Sequence, residues 1–121
     1  MANIINMGGG SISPVLLASL TNVPTSSTAV SGTENWKKYD AIYFECVMHY
    51  KDANSKSIFT NLILTNTVSI GDRYQPIRVS GADGSSSEVN VQCVFAENAL
   101  SIRKSVSSYD ITKLNIYGVN F

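Results

Sequence analysis

Tyr39-Asp-Ala-Ile-Tyr-Phe-Glu-Cys-Val-Met-His-Tyr50 is the stretch that decides the fold. Its even positions, Ile42, Phe44, Cys46, Met48 and Tyr50, are all apolar or aromatic. Its odd positions, Ala41, Tyr43, Glu45, Val47 and His49, are mixed. Successive side chains leave a pleated backbone on opposite sides, so a period of two over this length predicts a strand with one buried face. The second face, carrying Tyr43 and Val47, is apolar enough to predict association with another surface.

Toward the C-terminus the same pattern recurs between turns. Lys51–Lys56 is a polar turn. Ile58–Ile70 places Ile58, Leu62, Leu64, Val68 and Ile70 on one face, and Asn66 interrupts it as a bulge or register break would. Gly71–Pro76 is expected to be a loop, with Ile77 and Val79 starting a short strand. Asp83-Gly84 is a hairpin signal. Val89, Val91, Cys93 and Phe95 then alternate with Asn90, Gln92, Val94 and Ala96. Leu100, Ile102 and Val106 follow, and Ile111–Val119 forms the last strand with Leu114 and Ile116 inward. No segment of the core has helical periodicity. Six or seven short strands separated by turns predict an all-β fold, an antiparallel β-sandwich of jelly-roll-like type.

Toward the N-terminus the character changes. The first ionisable side chain is Glu34; all nine acids and all nine bases lie from there onward. Met1–Thr33 nevertheless contains Ile4, Ile5, Met7, Ile12, Leu16, Leu17 and Leu20, whose apolar surface gains about 25 cal/mol per Å² on burial. Gly8-Gly9-Gly10 loosens the backbone and permits close approach to another chain. These residues predict an extended docking arm and linker over 1–33, ahead of a sandwich domain over 34–121. Ser13-Pro14 before Val15–Leu20 fits a capped short helix and an edge strand equally well.

Composition narrows the function. The net charge is zero and the pI about 6.5, so no nucleic-acid or anionic-membrane partner is expected. The seven-residue apolar run Pro14–Leu20 is too short to cross a bilayer, which needs about 20 residues. The N-terminus lacks the basic region of a secretory signal, so synthesis in a cytoplasm is expected. Cys46 and Cys93 fall within alternating strands and are expected as buried thiols, with a single disulfide the alternative. One histidine, His49, and two isolated cysteines offer no metal-ligand spacing, and no cofactor is expected. The scattered acids Asp52, Asp72, Asp83 and Glu88 form no specified catalytic pair, so a non-enzymatic protein is expected. Loop residues Asp52, Arg73, Tyr74 and Asp83 are the candidate contacts to a receptor, because Tyr offers a flat apolar face with a polar edge.

Two stretches carry a resemblance. Trp36-Lys-Lys-Tyr39-Asp40-Ala-Ile-Tyr-Phe44 opens the core and Ile111-Thr-Lys-Leu-Asn-Ile116-Tyr117-Gly118-Val119 closes the chain. Together they resemble the β-domains near the ends of tailed-bacteriophage fibre, baseplate and head-decoration proteins. The resemblance covers roughly residues 34–121 and brings no catalytic residues with it. It implies a virion protein made in the host bacterial cytoplasm, a homotrimer anchored to other virion proteins by its arm. A fibre or tail-tip role in host attachment, without enzyme activity and directed at a host-surface glycan, is the leading expectation. Capsid decoration (a head fibre or cement protein) is the alternative, and a free carbohydrate-binding module is the alternative from another class.

Overall fold

A computed structural model describes residues 5–7, 10–50, 56–80, 88–105 and 109–121. Its strands are β1 (Ile5–Met7), β2 (Gly10–Ile12), β3 (Val15–Leu20), β4 (Thr28–Ala29), β5 (Ala41–Tyr50), β6 (Ser57–Leu64), β7 (Arg73–Ser80), β8 (Glu88–Phe95), β9 (Leu100–Lys104) and β10 (Tyr109–Val119). Two antiparallel four-stranded sheets, in the orders β3-β10-β5-β6 and β4-β9-β8-β7, form the all-β sandwich, while β1 and β2 pair only with each other. The first sandwich strand lies beside the last, and the second beside the next to last. That nesting is the jelly-roll feature of the chain; β5-β6 and β7-β8-β9 are joined in sequence instead.

The core follows from the alternation. Ile42, Phe44, Cys46 and Met48 of β5 are fully buried, as are Leu114 and Ile116 of β10. Val91, Cys93 and Phe95 of β8 and Leu100 and Ile102 of β9 oppose them from the second sheet. Phe95 sits edge-on to both Trp36 and Tyr74, with ring centroids 5.1 and 5.6 Å away. This is the favoured geometry for aromatic quadrupoles. The Trp36 indole N–H donates to the Ala96 carbonyl at 2.8 Å, so the buried ring leaves no unpaired polar edge.

One open pair of alternatives is resolved and three expectations are corrected. Val15–Leu20 is a strand, and it pairs with β10 from Leu20↔Leu114 to Val15↔Gly118. The boundary at residue 34 therefore falls inside the sandwich: β3 and β4 belong to its two sheets, and Val23, Val30 and Thr33 are buried. Lack of charge signalled burial, but the burial is against this chain's own strands. The expected loop over 71–76 becomes strand from Arg73 onward, with a bulge between Tyr74 and Ile77 that accommodates Pro76 on an edge strand. Asn66 marks neither a bulge nor a continuing strand; Thr65–Thr67 is a single 3-10 turn that ends β6. The Asp83-Gly84 turn lies outside the described residues, although β7 and β8 pair antiparallel up to Ser80↔Glu88.

Cys46 and Cys93 are free, buried and on different sheets. Burial raises the Cys46 thiol from 9.0 to about 11 and the Cys93 thiol from 9.0 to about 12. Each thiol keeps its proton in the fold at a pH where the unfolded chain has lost it. The associated stability is present below pH 9 and disappears as the pH rises toward 11 and 12. The unfolding free energy from urea titrations should therefore fall steadily across that alkaline window, by an amount on the order of a few kcal/mol. At neutral pH a thiol-specific disulfide reagent should react with neither cysteine until denaturant is added.

Candidate interaction surface

Residues directly opposite on antiparallel strands share a face, so the register of the β3-β10-β5-β6 sheet fixes what its outer surface presents. One row crosses all four strands: Leu16, Tyr117, Tyr43 and Leu62. The next is polar: Ser19, Asn115, Glu45 and Thr60. A third runs Lys113, Val47 and Ile58, and at the other end Val119, Ala41 and Leu64 form a fourth. Leu16, Ile58 and Leu64 are 49%, 66% and 41% exposed. Tyr43, Val47 and Leu62 are half-buried by their neighbours. Ala41, Tyr117 and Val119 of these rows are buried, so the exposed apolar surface is carried by Leu16, Ile58 and Leu64.

The polar row is a connected network. Ser19 Oγ donates to Asn115 Oδ1 at 2.6 Å, and Asn115 Nδ2 donates to Glu45 Oε1 at 2.9 Å. The Tyr117 hydroxyl donates to the same carboxylate oxygen at 3.3 Å, and its ring lies 6.0 Å from that of Tyr43. Burial, followed by the neighbouring Glu45 charge, raises the Tyr117 phenol above its ordinary value. Asn115 and Tyr117 are themselves buried, and both bond to the Glu45 carboxylate. The surface thus offers apolar bands on either side of a fixed line of hydrogen-bonding groups.

The residues expected to bind a receptor are distributed otherwise. Arg73 is exposed on β7. Tyr74, its neighbour, turns its ring onto Phe95, and its hydroxyl accepts the Ser69 N–H at 2.9 Å. Tyr74 is half-buried, so part of its ring is committed to packing inside the protein. Asp52 and Asp83 lie outside the described residues. Of the expected docking residues, Leu16 stands on the outer face, whereas Leu17 and Leu20 pack against the core. Ile5, Met7, Gly10 and Ile12 belong to the β1-β2 pair, and Ile4, Gly8 and Gly9 lie outside the described residues. Reading Lys113, Asn115 and Tyr117 as a stripe between Leu114 and Ile116 would have found half of the surface. Glu45, Leu62 and Ile58 join it only through strand register.

A smaller hollow of about 340 Å³ is lined by Trp36, Lys37, Thr65, Asn66, Val68 and Ile70. Lys37 is paired with Glu97 there, and the Trp36 indole is already committed to Ala96. Among the described residues no group of three or more His, Cys, Asp or Glu side chains stands close enough to hold a metal ion. No helix among them is long and apolar enough to cross a membrane. Comparison with protein-family models, curated proteins and solved structures returned no match.

Proposed function

We propose that the chain is a non-enzymatic structural protein of a tailed-bacteriophage particle, seated by protein–protein contacts and presenting its sandwich as an attachment piece. The observation that carries this reading is the set of exposed apolar side chains on the outer face, Leu16, Ile58 and Leu64, beside the half-buried Tyr43 and Leu62. An exposed apolar band rimmed by polar groups is a common mark of a protein contact surface. The resemblance adds support. Its two stretches become neighbours at the centre of one sheet, with Tyr43 opposite Tyr117 and Phe44 opposite Ile116. The segment free to anchor the body shrinks to residues 1–12, because β3 and β4 are built into the sandwich.

A free glycan-binding module is the second reading. It is favoured by the ordered Ser19-Asn115-Glu45 line, whose amide and carboxylate suit sugar hydroxyls, beside the half-buried Tyr43 ring. Incorporation separates the two. The chain should be found by mass spectrometry in purified particles of the phage that encodes it. A Leu16→Glu variant should fold normally by circular dichroism yet enter particles at least about tenfold less, since a charge is then desolvated in the contact. Absence of the wild-type chain from particles, or equal incorporation of the variant, would refute the virion reading. Retention of the purified chain on immobilised glycans in place of particle incorporation would favour the module.

A further inference from the structure

The four outer strands of the sandwich are not equally protected. A sheet edge exposes a row of unpaired N–H and C=O groups, and proteins blunt it with charge, proline, bulges, shortness or a covering loop. β4 is two residues long. β7 carries Arg73, Pro76, Arg78 and a bulge. β3 has a bulge opposite Ile116/Tyr117, and the Val30–Thr33 turn closes over it, bringing Gly32 against the Leu17 carbonyl. β6, Ser-Ile-Phe-Thr-Asn-Leu-Ile-Leu, is eight residues long, without charge, proline or bulge, and none of the described residues forms a loop over it. It touches β7 through Asn61 Nδ2, which donates to the Pro76 carbonyl at 2.9 Å, but it does not pair with that strand.

The open groups can be assigned. The Thr65 N–H donates to the Asp40 carbonyl at 2.9 Å, and the register continues from there as Leu64↔Ala41 and Ile63↔Ile42. Hydrogen-bonded and non-bonded pairs alternate along an antiparallel ladder. Residues 57, 59, 61 and 63 therefore exchange their bonds with β5, and Ile58, Thr60, Leu62 and Leu64 point theirs away from it. We infer that this edge is an interaction surface for a second copy of the same chain, with β6 pairing antiparallel to β6 about a two-fold axis at Thr60.

Self-complementarity selects the partner. A two-fold at Thr60 sets Ile58 of one copy opposite Leu62 of the other, twice, and Thr60 opposite its own twin. Apolar and Thr–Thr cross-strand pairs are favourable, and an uncharged strand pairs with itself without like-charge repulsion. The outer apolar rows then run on from one copy into the next. Because the contact is isologous and the β3 edge is covered, assembly stops at two copies and does not grow into a fibre. This partner is separate from the virion assignment: the dimer forms in dilute buffer whether or not a particle exists.

Sedimentation equilibrium of the intact chain at micromolar concentration should give twice the 13.1 kDa monomer mass. Thr60→Lys, an exposed substitution, brings two ammonium groups together on the axis and should weaken the dimer by more than about 100-fold while the thermal melt stays cooperative. Thr60→Cys should form an interchain disulfide on mild oxidation. Bonded antiparallel partners lie about 5.5 Å apart at Cα, within disulfide range. Cys46 and Cys93 are buried and should not compete. A monomer at every concentration, a trimer, an unaltered Thr60→Lys dimer or a Thr60→Cys chain that fails to cross-link would each overturn the inference.

Discussion

A chain lacking residues 1–33 is expected not to fold, whereas one lacking residues 1–12 should melt within a few degrees of the intact protein. The difference follows from what each segment touches. β1 and β2 pair with each other and with neither sheet. Residues 13–33 supply β3, the partner of β10, and β4, the partner of β9. Val23 and Val30 lie in the core, and Leu17, Ala18 and Leu20 pack against it. Thr33 is fully buried; its hydroxyl donates to the Val30 carbonyl at 2.7 Å and accepts the Leu100 N–H at 2.9 Å. Full burial of a Val or Leu side chain contributes about 1.5–3 kcal/mol; with Val23 and Val30 buried and Leu17 and Leu20 partly so, the four together account for roughly 5–10 kcal/mol. That equals the whole net stability of an ordinary domain. The longer deletion also leaves one side of β10 without its ladder partner. Far-UV circular dichroism and urea titration of the two truncated chains check the contrast. A cooperative unfolding transition in the longer deletion would mean that the sandwich stands without its first two strands.

The same segment shows where the sequence was hard to read. β5 and β8 alternate because one face of each is core and the other is not, so their pattern and their inward residues were legible; in β10 a bulge between Ile111 and Lys113 breaks the alternation, and Leu114 and Ile116 were legible only beyond it. β3 has a bulge between its partners Ile116 and Tyr117, which breaks the alternation in Val-Leu-Leu-Ala-Ser-Leu and leaves helix and strand indistinguishable. Absence of charge in Met1–Thr33 correctly signalled burial for its middle portion but could not say against what. β6 is apolar on both faces, with Ile58, Leu62 and Leu64 at even positions and Phe59 and Ile63 at odd ones. Only pairing with β5 decides that the odd set turns inward, since a one-residue slip would exchange them. The outer surface was therefore half legible. Tyr43 and Val47 could be named from alternation, whereas the Ser19-Asn115-Glu45 line needs three strands in register. Pro76 hid the start of β7 because a proline in a strand suggests a loop until the strand is known to lie at an edge.

Gly32→Ala should cost clearly more than Gly71→Ala, which is its control. Both glycines adopt positive φ, +96° and +91°, a conformation that an L-residue enters at a cost of about 1–3 kcal/mol. Gly32 is the third residue of the Val30–Thr33 turn, closed by the Thr33 N–H to the Val30 carbonyl at 3.3 Å. Its own N–H donates to the Glu34 carboxylate at 2.9 and 3.1 Å. A Cβ there would lie 2.1 Å from the Leu17 carbonyl oxygen, whereas one at Gly71 would meet nothing within 4 Å. The obstacle at Gly32 is backbone, so it cannot swing aside as a flexible side chain would. Either the turn must lift away from β3 or the bulged edge must shift, and both movements disturb the burial of Val30 and Thr33. Gly71→Ala should therefore destabilise by about 1–2 kcal/mol through backbone conformation alone, and Gly32→Ala by roughly 3–5 kcal/mol. In a domain of this size that corresponds to a loss of about 10–25 °C in Tm for the second variant. Equal losses in the two variants would show that the turn does not press on the strand. A loss confined to Gly32→Ala would locate the seal of the β3 edge at that single contact, which is what leaves β6 as the open side of the sheet.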